Sequence, residues 1–155
     1  MKKITLTICA LCMVAFSFGQ TKLDQSKMQL NAGVGISSWG IPVYVGVDYW
    51  ATSEVTIGLE ASARFNLWNS YSVIGGQVNA NYHFNTLLEL PENLDFYVGV
   101  SAGPYFSLGN YWNATHFNFA GQIGGRYKYN DKMWFHVELG GGSFSGGKIG
   151  ITLRR

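Results

Sequence analysis

The sequence predicts an all-β protein: an eight-stranded antiparallel up-and-down β-barrel that spans a membrane. Two observations carry the prediction. Hydrophobicity alternates with period two through eight segments, and their apolar faces carry no Asp, Glu, Lys or Arg. A third supports it: on those faces aromatic residues gather toward the strand ends and aliphatic residues lie between.

The clearest segment is Val55–Phe65, V-T-I-G-L-E-A-S-A-R-F. Val55, Ile57, Leu59, Ala61, Ala63 and Phe65 alternate with Thr56, Gly58, Glu60, Ser62 and Arg64. Successive strand side chains point to opposite faces, so one face is apolar and the other polar. A helix would scatter Glu60 and Arg64 among the apolar residues. The length suits a tilted bilayer crossing of about 9–11 residues.

The other segments follow in order. Strands are predicted over 28–36, 43–50, 55–65, 72–84, 95–108, 116–129, 133–140 and 148–154. Connections fall at 37–42, 51–54, 66–71, 85–94, 109–115, 130–132 and 141–147, rich in Gly, Pro, Asn and Ser. Pro42 is placed in the first turn. Pro104 interrupts its strand, since proline removes a ladder donor. Short connections and an even strand count predict a meander with both termini at one end.

The chain begins with Met1-Lys2-Lys3, then an apolar run over 4–18, then Ser17-Phe18-Gly19. This is the layout of a signal peptide. The predicted organisation is a leader over 1–19, a polar lead over 20–27 and a barrel domain over 28–155. Cys9 and Cys12 are C-x-x-C spaced but fall within the leader, so they read as discarded rather than as a redox or metal pair. Lipoprotein processing at Cys12 is the alternative, disfavoured by the Phe16-Ser17-Phe18 that would follow the lipid anchor.

Alternation alone does not say which face is outside. A soluble carrier barrel loads its polar face with Lys and Glu. Here that face is mostly Gly, Ser, Asn and Gln, and only 13% of the chain is charged, against about 25% in ordinary proteins. A charge at mid-bilayer depth costs about 2–4 kcal/mol, which accounts for the charge-free apolar faces. Tyr49, Tyr82, Phe84, Phe96, Tyr127, Tyr129 and Phe135 mark one rim; Phe65, Phe106, Phe117 and Phe119 mark the other. Val45, Val47, Ile57, Leu59, Val78, Val98, Val100, Ile123 and Val137 lie between them. Aromatic girdles around an aliphatic band are the mark of a lipid-facing barrel. Hydrocarbon offers no hydrogen bonds, so the sheet must close and strand eight must pair with strand one. A net charge of +2 without a basic patch argues against a nucleic-acid partner.

This layout resembles the small eight-stranded outer-membrane barrels of Gram-negative bacteria, the OmpA/OmpX-type family. The resemblance spans essentially the whole mature chain and rests on pattern. It implies an outer-membrane location, contact with membrane lipids and lipopolysaccharide, and insertion by the outer-membrane assembly machinery. It also implies periplasmic termini. One departure is the end Leu153-Arg154-Arg155, where relatives carry a terminal aromatic residue. The outward connections then each show an aromatic: Trp39, Trp68, Trp112 and Phe144 are candidates for contact with a surface ligand of unknown identity, although anchoring of the barrel rim is the better-supported reading of them.

The inward face collects Asp48, Glu60, Arg64, Asp95, Arg126, Lys128, Glu138 and Lys148. Enclosed charges must be paired, which predicts an interior network of Asp48, Glu60, Arg64, Gln77, Arg126, His136 and Glu138. The turn at 130–132 would set Arg126 opposite His136 and diagonal to Glu138, and Glu60 should lie near Gln77. With Tyr44, Tyr97, Tyr105 and Trp134 this network should fill the lumen. His83, His116 and His136 fall on different strands, and Ser143 and Ser145 have no evident histidine partner. No catalytic role, metal or cofactor is therefore expected. The expected function is a non-enzymatic envelope barrel with a structural or surface-contact role; the alternative is a narrow channel for ions or small solutes. A lipid-modifying enzyme and a secreted carrier are less well supported.

Overall fold

The computed structural model describes residues 28–37, 40–65, 72–108, 115–140 and 146–154. Within them the chain forms eight strands: β1 Met28–Ser37, β2 Ile41–Trp50, β3 Val55–Phe65, β4 Ser72–His83, β5 Leu94–Leu108, β6 Thr115–Lys128, β7 Met133–Gly140 and β8 Gly146–Arg154. Each is antiparallel to its sequence neighbours, and β8 returns to pair with β1, closing a barrel. The closing ladder runs from Gln29↔Arg154 to Ser37↔Gly146.

The predicted strands are all present, with small shifts at their ends. β2 and β8 each start two residues early, at Ile41 and Gly146, so Pro42 lies inside its strand, partnered with Arg64, rather than in the turn. Proline is tolerated this close to a strand start because few ladder bonds have yet formed there. Pro104 stays within β5 and points outward. It keeps its partner Phe117 on β6, whereas the ladder to β4 skips Gly76 and Gln77. The missing N–H is thus felt on the β4 side. Gly103 beside it closes the gap: a Cβ there would lie 2.0 Å from the Gly76 carbonyl oxygen.

The two faces separate cleanly. Outward positions are exposed: Leu59 59%, Val98 42%, Val137 56% and Phe119 74%. Inward positions are buried, among them Tyr97, Tyr105, Thr56 and Thr152 at 1% or below. The core is therefore the lumen, and it is built from polar and aromatic side chains. Inward tyrosines lie over glycines of the adjacent strand. Tyr105 faces Gly75, Tyr97 faces Gly124 and Tyr44 faces Gly33 in register. A Cβ on Gly75 or Gly124 would lie 2.2 Å from the tyrosine ring. A barrel of this size has an interior just wide enough for side chains, so large rings fit only where the neighbouring strand offers none.

Met28 and Arg154 mark one end of the barrel, together with the connections at 51–54, 84–93 and 129–132. The exposed aromatics Tyr49, Phe96, Tyr127, Tyr129 and Phe135 ring this end; Phe65, Phe106, Phe117 and Phe119 ring the other. Lys128, expected in the lumen, instead lies 2.9 Å from Asp131 in the connecting turn, because β6 ends there and its side chain reaches past the rim.

Candidate functional site in the barrel lumen

The lumen holds two ionic groups, one toward each end. The group nearer Met28 and Arg154 is centred on Asp95 of β5. Its Oδ1 is 2.7 Å from His83 Nδ1, and its Oδ2 accepts from Arg154 Nη2 at 2.8 Å and from Arg126 Nη1 at 3.5 Å. Arg126 also donates to Asp48 at 3.1 Å and to Gln29 at 2.6 Å. Both guanidiniums lie against aromatic faces, Arg126 over Tyr97 at 4.6 Å and Arg154 over Trp134 at 3.9 Å. Two carboxylates, Asp48 and Asp95, are matched by two arginines.

The opposite group is centred on Lys148 of β8. Its Nζ lies 2.8 Å from Glu60 and 2.6 Å from Glu138. Gln77 donates to Glu60 at 3.0 Å, and Tyr97 donates to Glu138 at 2.9 Å. Tyr105 donates to Gln77 at 3.1 Å, and Arg64 to the Tyr105 oxygen at 3.3 Å. Two glutamates thus stand against Lys148 and Arg64, so each end is formally neutral on its own.

A line of hydrogen bonds runs from Asp48 to Tyr44, whose ring centroid lies 4.8 Å from Lys148 Nζ of the opposite group, and its direction follows from donor capacity. Asp48 is an acceptor, so Asn31 Nδ2 donates to it at 2.8 Å, leaving Asn31 Oδ1 to accept from Thr152 at 2.7 Å. With its proton given away, the Thr152 oxygen accepts from His136 Nδ1 at 2.9 Å. His136 Nε2 is then the acceptor for the Tyr44 hydroxyl. The same reasoning sets His83: Nδ1 donates to Asp95, and Nε2 accepts from Thr56 at 3.0 Å.

The predicted interior residues are all found in or beside these groups, with different partners in two cases. Arg126 does lie opposite His136 in the β6–β7 ladder. Its guanidinium, however, turns to Asp48, Asp95 and Gln29, whereas Glu138 takes Lys148 and Tyr97. His136 bonds Tyr44 and Thr152, so His136 and Glu138 do not form a joint site. The sequence reading gave no pairing for His83 with Asp95, nor for Arg154. The signal for Arg154 was its parity: it follows outward Leu153 and must point inward.

Thr56, His83 and Asp95 make a hydroxyl–imidazole–carboxylate relay of the kind used by hydrolases. Thr56 is fully buried, however, and the Trp50 ring lies against His83, tilted by 42° with 4.4 Å between centroids. A lumenal cavity of about 20 Å³ lies elsewhere, among Tyr44, Ser62, Gln77, Gln122 and Lys148. Among the described residues, no three of His, Cys, Asp and Glu come together as a metal site. Trp39, Trp68, Trp112 and Phe144 lie outside the described residues.

A closed antiparallel barrel with an apolar exterior and a polar, ionic interior defines a class, the small transmembrane β-barrels. Solved structures agree. Neisserial surface protein A is similar with a TM-score of 0.60 at 12% identity, over 83% of this chain and 94% of that chain. The N-terminal β-barrel domain of Pseudomonas aeruginosa OprF gives 0.60 at 13% identity, over 83% and 98%. A de novo designed transmembrane β-barrel gives 0.60 at 17% identity, over 87% and 100%. No protein-family model matches the sequence, and no curated protein matches it. The fold is that of the small eight-stranded outer-membrane barrels.

Proposed function

We propose that this chain is an outer-membrane barrel with a non-enzymatic role in envelope structure or surface contact, its lumen closed by the two ionic groups. The carrying observation is that Asp48, Asp95, Arg126 and Arg154 at one end, and Glu60, Glu138, Lys148 and Arg64 at the other, each balance in charge and interlock across the lumen. Removing a partner from such a set leaves an unpaired charge, so the arrangement favours staying shut. His136 and Gln77 serve the same closure by linking tyrosines to the charged groups.

In this reading residues 1–19 are a cleaved leader, and the assembly machinery inserts the barrel with Met28 and Arg154 toward the periplasm. The exposed belt meets lipid, with lipopolysaccharide against the outer half. Trp39, Trp68, Trp112 and Phe144 sit in the outward connections and are the candidates for a surface ligand. The likeness to a protein named for the neisserial surface supports an exposed role.

The test is planar-bilayer recording on the purified protein, paired with fractionation and heat-dependent gel mobility. Residence in the outer membrane, a folded band that shifts on boiling, and no steady unitary current are expected. Regular currents whose ion selectivity reverses on Glu60 substitution would replace this reading with the narrow channel. One observation favours that second reading, the lumenal cavity of about 20 Å³ beside Lys148, room for about one water molecule.

A further inference from the structure

Three connections join strands at the barrel end that holds Met28 and Arg154. Two are mainly polar: 51–54 reads Ala-Thr-Ser-Glu, and 129–132 reads Tyr-Asn-Asp-Lys, whose tyrosine belongs to the girdle. The third, 84–93, carries Leu87 and Leu88, which are 67% and 54% exposed. These leucines are not on a loose tether. Leu88 N–H donates to the Phe84 carbonyl at 2.9 Å, and Leu90 N–H to that of Asn85 at 2.9 Å. The Asn85 side chain spans the base of the connection, donating to the Leu94 carbonyl and accepting from Phe96 N–H. Glu89 is held at φ 48°, a left-handed conformation uncommon outside glycine. The segment is built to keep two large apolar side chains outside the fold.

Its neighbours say what they face. The segment leaves β4 at Phe84, whose ring lies 5.0 Å from Tyr82 and 6.0 Å from Phe96. These aromatics belong to the girdle at this end of the apolar belt. Leu88 stands one turn on from Phe84, bonded to its carbonyl, and Leu87 precedes it, so the two exposed leucines follow directly on that girdle. We propose that Leu87 and Leu88 form an interfacial foot, inserted at the headgroup–acyl boundary of the leaflet on this side. The proposal rests on the membrane reading above. Glu89 and Glu92 are exposed in the same segment, so the foot stops at the interface and suits zwitterionic better than strongly anionic lipid.

Spin-label accessibility tests it. Single cysteines replace Leu87 or Leu88 in the full chain carrying Cys9→Ser and Cys12→Ser, refolded into phosphatidylethanolamine/phosphatidylcholine vesicles. Collision with oxygen, which concentrates in lipid, is compared with collision with a water-soluble nickel chelate. Asp131→Cys is the aqueous reference and Val137→Cys the bilayer reference. The oxygen-to-nickel ratio at Leu87→Cys and Leu88→Cys is expected several-fold above that at Asp131→Cys and below that at Val137→Cys. A ratio equal to that of Asp131→Cys, or shielding from both reagents as in a protein groove, overturns the foot while Val137→Cys still reports insertion. Nickel reaching Val137→Cys would overturn the membrane reading, and the foot with it.

Discussion

Asp95 on β5 and Arg154 at the end of β8 meet across the lumen, carboxylate to guanidinium, at 2.8 Å. They join the last strand to a wall it does not hydrogen-bond to. Asp95 also serves His83 and Arg126, so the two partners are not equivalent. Asp95→Ala leaves two arginines facing each other and is expected to cost about 3–5 kcal/mol. Arg154→Ala leaves Asp95 its other donors and should cost about 1–3 kcal/mol. Urea midpoints, read by the heat-shifted gel band, check the order.

The tyrosine–glycine pairs give a second prediction. Gly124→Ala drives a methyl into the Tyr97 ring, which already donates to Glu138 and receives Arg126. A loss of about 1–3 kcal/mol is expected from this overpacking. Gly121→Ala is the contrast: nothing lies within 4 Å of its Cβ, so stability should stay within about 0.5 kcal/mol. The same urea series measures both.

Lys148 is shared by two carboxylates. Lys148→Met is expected to cost about 3–5 kcal/mol by leaving Glu60 and Glu138 unpaired, whereas the triple variant with Glu60→Gln and Glu138→Gln should recover most of that loss. Equal destabilisation of the single and triple variants would show that packing, not charge, holds this end.

The exterior can be probed by charge. Val100→Arg places a guanidinium near the middle of the apolar belt, between Phe96 and Phe106, and should cost about 2–4 kcal/mol in a bilayer. The effect should fall for a substitution at Phe96, on the rim. Folding titrations in lipid vesicles measure the difference.

Strand positions and faces were legible because a period of two is written into the sequence itself. Val55–Phe65 and Met133–Gly140 appear with the bounds the alternation gives. Pairing across the lumen was not legible. Whether Arg154 reaches Asp95, or Arg126 reaches Asp48, depends on the stagger of the closed sheet, which no single strand encodes. Adjacent-strand contacts fared better: Gln77 lies opposite Glu60 and donates to it. Arg126 shows the limit, since ladder position gave its neighbour His136 but not its partners. Pro42 was misread because turn residues at a strand start look the same as turn residues beyond it.

The central claim is that the charge-free faces meet hydrocarbon while the ionic faces are enclosed. Bimane attached at Leu59→Cys, Val98→Cys and Val137→Cys, and at Gln77→Cys and Gln122→Cys, can be read in vesicles of lipid brominated near the chain ends. Strong quenching at the first three sites and little at the last two is the predicted result. Quenching at Gln77→Cys and Gln122→Cys with none at Leu59→Cys, Val98→Cys and Val137→Cys would contradict it.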